Sequence, residues 1–139
     1  MAAKPLPQPT ELTAPYWRAA AEGRLALQHC RGCGRWIHFP EPRCAECGSD
    51  EFDWDTVSGR GTVATFSVVH RSFVAGFDGE PYVIAWIDLP EQPGLRVFGN
   101  VTGCAPDAVR IGMAVELWFE RRGDIAMPNF RMTERGEQE

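Results

Sequence analysis

Lysine is nearly absent from this chain: Lys4 is the only one in 139 residues, and the net charge is −5. No stretch is basic, which argues against nonspecific nucleic-acid binding, because neutralised phosphates supply that affinity. Long apolar runs are missing too. None approaches the ~20 residues needed to cross a bilayer. The N-terminus "MAAKPLPQPTELTAPYW" has no apolar core of the kind a secretory signal carries. A cytoplasmic protein with reduced thiols is the expectation. Catalytic signatures are equally scarce. There is no G-x-S-x-G elbow, no phosphate-binding glycine loop and no H-E-x-x-H helix.

Cysteine is scarce overall but concentrated. Four of the five lie in "CRGCGRWIHFPEPRCAEC", residues 30–47. The pattern is two C-x-x-C pairs with ten residues between them. Each pair aims two sulfurs at one point, and two facing pairs make a tetrahedral site suited to zinc or iron. Gly34 and Gly48 directly follow the pairs and allow the tight turn that points amides at sulfur. The spacer "GRWIHFPEPR" fits a short hairpin between the pairs. Two disulfides are the alternative, disfavoured in a reducing compartment. Four thiolates close the coordination sphere and leave no position for a reactive water, so the metal's role is structural. It replaces a core that so small a unit cannot build. His29 and His38 flank the motif as supporting or surface groups.

The remainder divides by texture. Residues 1–23 read as a Pro-rich arm and a short helix. Thr13 is a candidate N-cap, Pro15 suits the first turn and Gly23 the stop. Residues 24–56 read as the metal ribbon, opened by the strand "RLALQHC". The stretch "DEFDWDTVSG" marks the junction, with Trp54 a candidate for joining the two units. Residues 57–132 carry five strand patterns separated by Gly/Pro/Asp turns, ending in a short "MPNFRM". Five short strands with no long helix between them predict a closed Greek-key barrel of the OB type. Residues 133–139 are an acidic tail. The fold class is thus mainly β: a short N-terminal helix, a four-cysteine metal ribbon, then a five-stranded barrel of the OB-fold type.

Nothing in the chain makes a convincing active site. Cys104 and His70 are a conceivable dyad, but a small buried cysteine is the commoner case. Asp78, Glu80, Asp88 and Asp107 read as turn or strand-end residues. The loop "RSFVAGFDGEP" offers Phe73 and Phe77 as apolar contacts, either for a partner or for its own barrel.

The order "PYWRAAAEGRLALQHCRGCGRW…RCAECGS…SGRGTV…HR…PY…VRIGM…VELWF" resembles, along nearly the whole chain, the acyl-CoA-associated OB-fold family with a rubredoxin-like zinc ribbon, catalogued as domain of unknown function thirty-five. The resemblance implies a non-catalytic subunit. Its partner would be a thiolase-like or lipid-transfer-protein-like enzyme, a thiolase or steroid side-chain aldolase of lipid catabolism, in a hetero-oligomer. It implies structural Zn2+ on Cys30, Cys33, Cys44 and Cys47, and a coenzyme A thioester shared with the partner. Arg71 and Arg110 are candidates for meeting a coenzyme A phosphate, since Arg forks suit phosphate. A zinc-ribbon/OB nucleic-acid binder and a stand-alone thioester-acting enzyme are the competing readings; no contact with nucleic acid or membrane is expected.

Overall fold

The computed structural model describes residues 6–70 and 80–133. Helix α1, Ala14–Ala21, is built on an alanine run and buries Ala19 and Ala20. Pro15 sits in its first turn. Thr13 occupies the N-cap position without capping a helix amide. Its Oγ1 instead accepts from the Thr10 amide at 2.8 Å, tightening the turn before the helix. Gly23, at φ +85°, ends the helix, and the amides of Glu22 and Arg24 both return to the Ala19 carbonyl at 2.9 Å. A left-handed residue at that point favours glycine.

Three strands follow in one antiparallel sheet: β1 (Ala26–Cys30), β2 (Trp36–Ile37) and β3 (Phe52–Thr56), in the order β2-β1-β3. Two expectations change here. The hairpin is formed by β1 and β2 around the first Cys pair, while the spacer beyond Ile37 is irregular. The stretch that reads as a junction is largely β3, paired with β1 along its length.

The barrel consists of β4 (Arg60–Val69), β5 (Tyr82–Asp88), β6 (Arg96–Thr102), β7 (Ala114–Arg122) and β8 (Ile125–Met132), closed in the order β4-β5-β6-β8-β7. Strand β8 starts earlier than "MPNFRM" suggests, because it continues straight from the β7 turn at Gly123. It also pairs parallel to β6 at Val101 and Thr102, the Greek-key step that closes the cylinder. Val83, Ala85 and Ile87 on β5 alternate inward, as do Val97, Gly99 and Val101 on β6, as a two-residue pleat requires.

Leu25, Leu27 and Val57 belong to the same buried cluster as Ile87, Val115 and Phe130 of the barrel. Ribbon and barrel therefore share one core. Trp36 packs on that core from the ribbon side, whereas Trp54 belongs to neither apolar cluster. With Leu25 and Leu27, Trp36 joins the ribbon to the barrel. Its backbone is gripped twice by Gln92, which accepts from the Trp36 amide at 2.8 Å and donates to its carbonyl at 2.9 Å.

Candidate metal centre and adjoining cleft

The two Cys pairs are built alike. The Gly34 amide donates to the Cys30 carbonyl at 2.9 Å, and the Gly48 amide to the Cys44 carbonyl at 2.8 Å. Both glycines have φ near +80° (+80° and +79°), which a side chain would strain. The first cysteine of each pair is buried and the second exposed. All four sulfurs lie within 4.8 Å of one another. Cys30 and Cys47 sulfurs are 3.5 Å apart, those of Cys33 and Cys44 3.7 Å. A tetrahedral zinc with ~2.3 Å bonds needs sulfur edges of about 3.8 Å. The donor set fits such an ion.

Electrostatics argue the same way. Burial works to raise the Cys30 thiol, but the amide of Cys33, the Cys47 sulfur and the Gly32 amide outweigh it and bring it down to about 6. The Arg35 and Ser49 amides favour thiolate at Cys33 and Cys47, yet burial and the crowded sulfurs together outweigh them and both thiols are pushed up. One thiolate thus forms readily and the next is resisted by like charge. A divalent cation removes that resistance. Because four sulfurs fill the sphere, it supplies no open Lewis-acid position.

Beside the ribbon the structure brings together groups that the sequence does not pair. Loop 38–40 crosses from β2 to the outer face of β5, β6 and β8. There it faces Tyr16 and Trp17 of α1 across a cleft of about 400 Å³. His38 stacks on Tyr16 at 5.6 Å between centroids, and Phe39 lies edge-on to Trp86 at 6.1 Å. Burial pushes His38 down to about 4 and Tyr16 well above the usual phenol range. His38 turns toward the helix, and its Nδ1 is buried with no partner. His29 instead supports the ribbon. Its Nδ1 meets Asp55 at 2.8 Å, its Nε2 meets the Gly34 carbonyl at 3.1 Å, and its ring stacks on Trp36 at 3.9 Å.

Of the other candidates, Arg71, Phe73 and Phe77 lie outside the described residues. Arg110 is placed on the loop before β7, where its guanidinium bonds the carbonyls of Asp107 and Val109 at 2.9 and 3.2 Å. Cys104 packs on the barrel core, and among the described residues no hydrogen bond joins it to His70. Sequence reasoning missed Gln28, 2% exposed, whose amide both donates to the Glu41 carbonyl at 2.7 Å and accepts from the Glu41 amide at 2.9 Å. Its one signal is a glutamine among the apolar residues of β1.

These features define a class: a small zinc-ribbon protein whose ribbon is fused through a common core to an OB barrel. The comparisons are more particular. Residues 17–53 match the rubredoxin-like zinc ribbon domain of ChsH2, and residues 54–120 its C-terminal OB-fold domain. A probable enoyl-CoA hydratase alpha subunit of Thermomonospora curvata is 40% identical over 94% of this chain, which spans only 40% of that relative's length. A DUF35 domain-containing scaffold protein of Methanocaldococcus jannaschii is 44% identical, over 76% of this chain and 74% of the relative. Benzoylsuccinyl-CoA thiolase subunit BbsA of Geobacter metallireducens is 37% identical over 72% and 62%. A solved chain of an Ltp2-ChsH2(DUF35) aldolase superposes with a TM-score of 0.84 at 34% identity, over 91% of this chain and 98% of that one. The chain belongs to the DUF35 family.

Proposed function

We propose that this chain is a non-catalytic subunit that completes a thiolase-superfamily enzyme acting on acyl-CoA, a thiolase or a retro-aldolase of lipid or steroid breakdown. The observation that carries this reading is the superposition over 98% of a chain from an Ltp2-ChsH2(DUF35) aldolase. The kinship to a thiolase subunit and to proteins named as scaffolds points the same way. The site chemistry agrees: a closed four-sulfur set has no water to activate, and the described residues offer no nucleophile–base pair. In this reading Cys30, Cys33, Cys44 and Cys47 hold the structural zinc. Phe73 and Phe77 meet the partner or its thioester, and Arg71 with Arg110 lies toward a coenzyme A phosphate. Arg110 is the weaker of the two arginines, since its Nη1 already serves its own loop. The boundaries at residues 23, 56 and 132 delimit arm and helix, ribbon, barrel and tail.

The compartment we propose is the cytoplasm. Among the described residues no helix is long and apolar enough to cross a membrane, and no disulfide joins any of the five cysteines. Recovery of the native protein from a secreted fraction would overturn this. The functional test is reconstitution. A thiolase-like partner from the same host, this chain, and both together are assayed on a β-hydroxy or β-keto acyl-CoA. Turnover is expected only, or at least about tenfold faster, with both, because the chain contributes positioning. Turnover by this chain alone refutes the assignment, as does an unchanged rate from the partner alone.

A further inference from the structure

We propose that the cleft between α1, loop 38–40 and the outer barrel face is itself a binding site for a flat, uncharged, apolar ring system. Its volume, about 400 Å³, falls within the range of small-molecule sites, ~300–1,000 Å³. Its walls are aromatic and come from three separate parts of the fold. Tyr16 and Trp17 stand on the helix, edge-on to each other at 4.9 Å. Phe39 stands on the loop and Phe98 on β6, and these two are 63% and 45% exposed. Large apolar side chains gathered around one concavity mark a site rather than scatter.

The frame is pre-organised. Trp86 supports both exposed rings, with Phe98 at 5.2 Å and Phe39 at 6.1 Å in edge-on contact. Trp86 and Phe98 are direct cross-strand partners, so the pleat fixes their approach. His38 is stacked on Tyr16. A ring entering this cleft meets ring faces and edges already held in place, the geometry aromatic pairs favour.

Charge selects the ligand class. Among the described residues Arg122 is the one cation lining the cleft, and its side chain is only 10% exposed and paired with Glu120 at 2.8 Å. His38 is kept neutral by burial. Asn100 and Asn129 are engaged as well: Asn100 Nδ2 donates to the Val83 carbonyl at 2.9 Å, and the Asn100 backbone N–H donates to Asn129 Oδ1 at 3.3 Å. A charged ligand would surrender water and gain no counter-charge. A neutral ring loses nothing of that kind.

This inference does not rest on the partner role and is tested on the isolated, zinc-loaded chain. The probe is 2-naphthol, with 2-naphthoate as its charged counterpart, followed by calorimetry and by quenching of tryptophan fluorescence, since Trp17 lines the cleft. The expected result is saturable one-to-one binding of 2-naphthol, with 2-naphthoate weaker by about tenfold or more. Phe98→Ala should weaken binding by about fivefold or more. The half-exposed position leaves melting nearly unchanged. Met127→Lys, which puts a charge into the cleft from β8, should abolish binding, and its melting curve reports folding independently. The proposal is overturned by no saturable binding up to the solubility limit, by equal binding of the anion, or by folded variants that bind as well as the parent. 2-Naphthoyl-CoA distinguishes the sources of the ring. Displacement of 2-naphthol shows that the site takes the ring of a coenzyme A thioester. Persistence of bound 2-naphthol assigns it to a free ring compound. Failure of every arm leaves the reconstitution experiment untouched.

Discussion

His38 gives the chain a defined pH response. In the folded state burial brings it from 6.5 to about 4, so the folded protein binds that proton less readily than the unfolded chain. Between pH 6.5 and 4 the unfolded state carries more protons, and stability rises with pH. The stability associated with neutral His38 is therefore complete above about pH 6.5 and is lost progressively as pH falls toward 4. Below about 4 the loss stops growing. Between pH 7 and pH 5 the linkage relation gives a loss of about 2 kcal/mol from this group. The residue is stacked on Tyr16 and adjacent to Phe39, and among the described residues no carboxylate pairs with it. Nothing nearby repays protonation. The perturbation is His38→Phe, which keeps a flat ring against Tyr16 and removes the titration. Urea unfolding of both chains at pH 7 and pH 5, in zinc-saturated buffer, separates this term from carboxylate and thiolate protonation, which both chains share. The parent should lose about 2 kcal/mol more than the variant over that interval. Equal losses would refute the reasoning, and so would a greater loss in the variant.

Two further outcomes follow from the core. Cys44→Ser should reduce bound zinc to near zero and speed amide exchange over residues 31–50, measured by mass spectrometry, while β5 and β6 stay protected. The ribbon's inner end is tied into the barrel core by Leu25 and Leu27, so residues 24–29 should stay protected too. Gly61→Ala should destabilise the barrel by roughly 3 kcal/mol in denaturant unfolding, because a Cβ there would stand 2.4 Å from the Asp88 carbonyl oxygen and 2.7 Å from Ile87 Cγ2. A change below about 1 kcal/mol would contradict that packing.

What the sequence made legible is what is local in the chain. The Cys30/Cys33 and Cys44/Cys47 turns are set by two-residue spacing and a following glycine, and both belong to single short segments. The barrel strands follow from alternation within β5 and β6, where one face is buried. The start of β8 was less legible because Ile125 and Ala126 continue a hairpin whose register depends on β7, not on their own pattern. Thr13 has the residue type of an N-cap, but a second threonine three residues earlier competes for its hydroxyl. Trp54 and Trp36 have equal claims as a joint until Gln92, 56 residues away in sequence from Trp36, is seen gripping one of them. The cleft was illegible for the same reason. Its walls come from α1, loop 38–40, β5, β6 and β8, and no periodicity links Trp17 to Phe39 or Phe98.

The metal centre and the cleft are connected by one short length of chain. Residues 36–44 leave β2, cross the barrel face and return to the second Cys pair. Three anchors hold them: Gln92 on the Trp36 backbone, Gln28 on the Glu41 backbone, and Cys44 in the metal site. Between the first two anchors lie His38, Phe39 and Pro40, which belong to no strand and form one wall of the cleft. An irregular segment of this kind has few backbone bonds of its own and would sample many conformations if its ends were free. Fixing both ends removes most of that freedom before any ligand or partner arrives, so less ordering entropy is lost on binding. Gln92 and Gln28 hold the chain on either side of Phe39, and an ion in the four-sulfur set would fix Cys44 three residues beyond Glu41, so it would reinforce the second of those anchors without performing any chemistry.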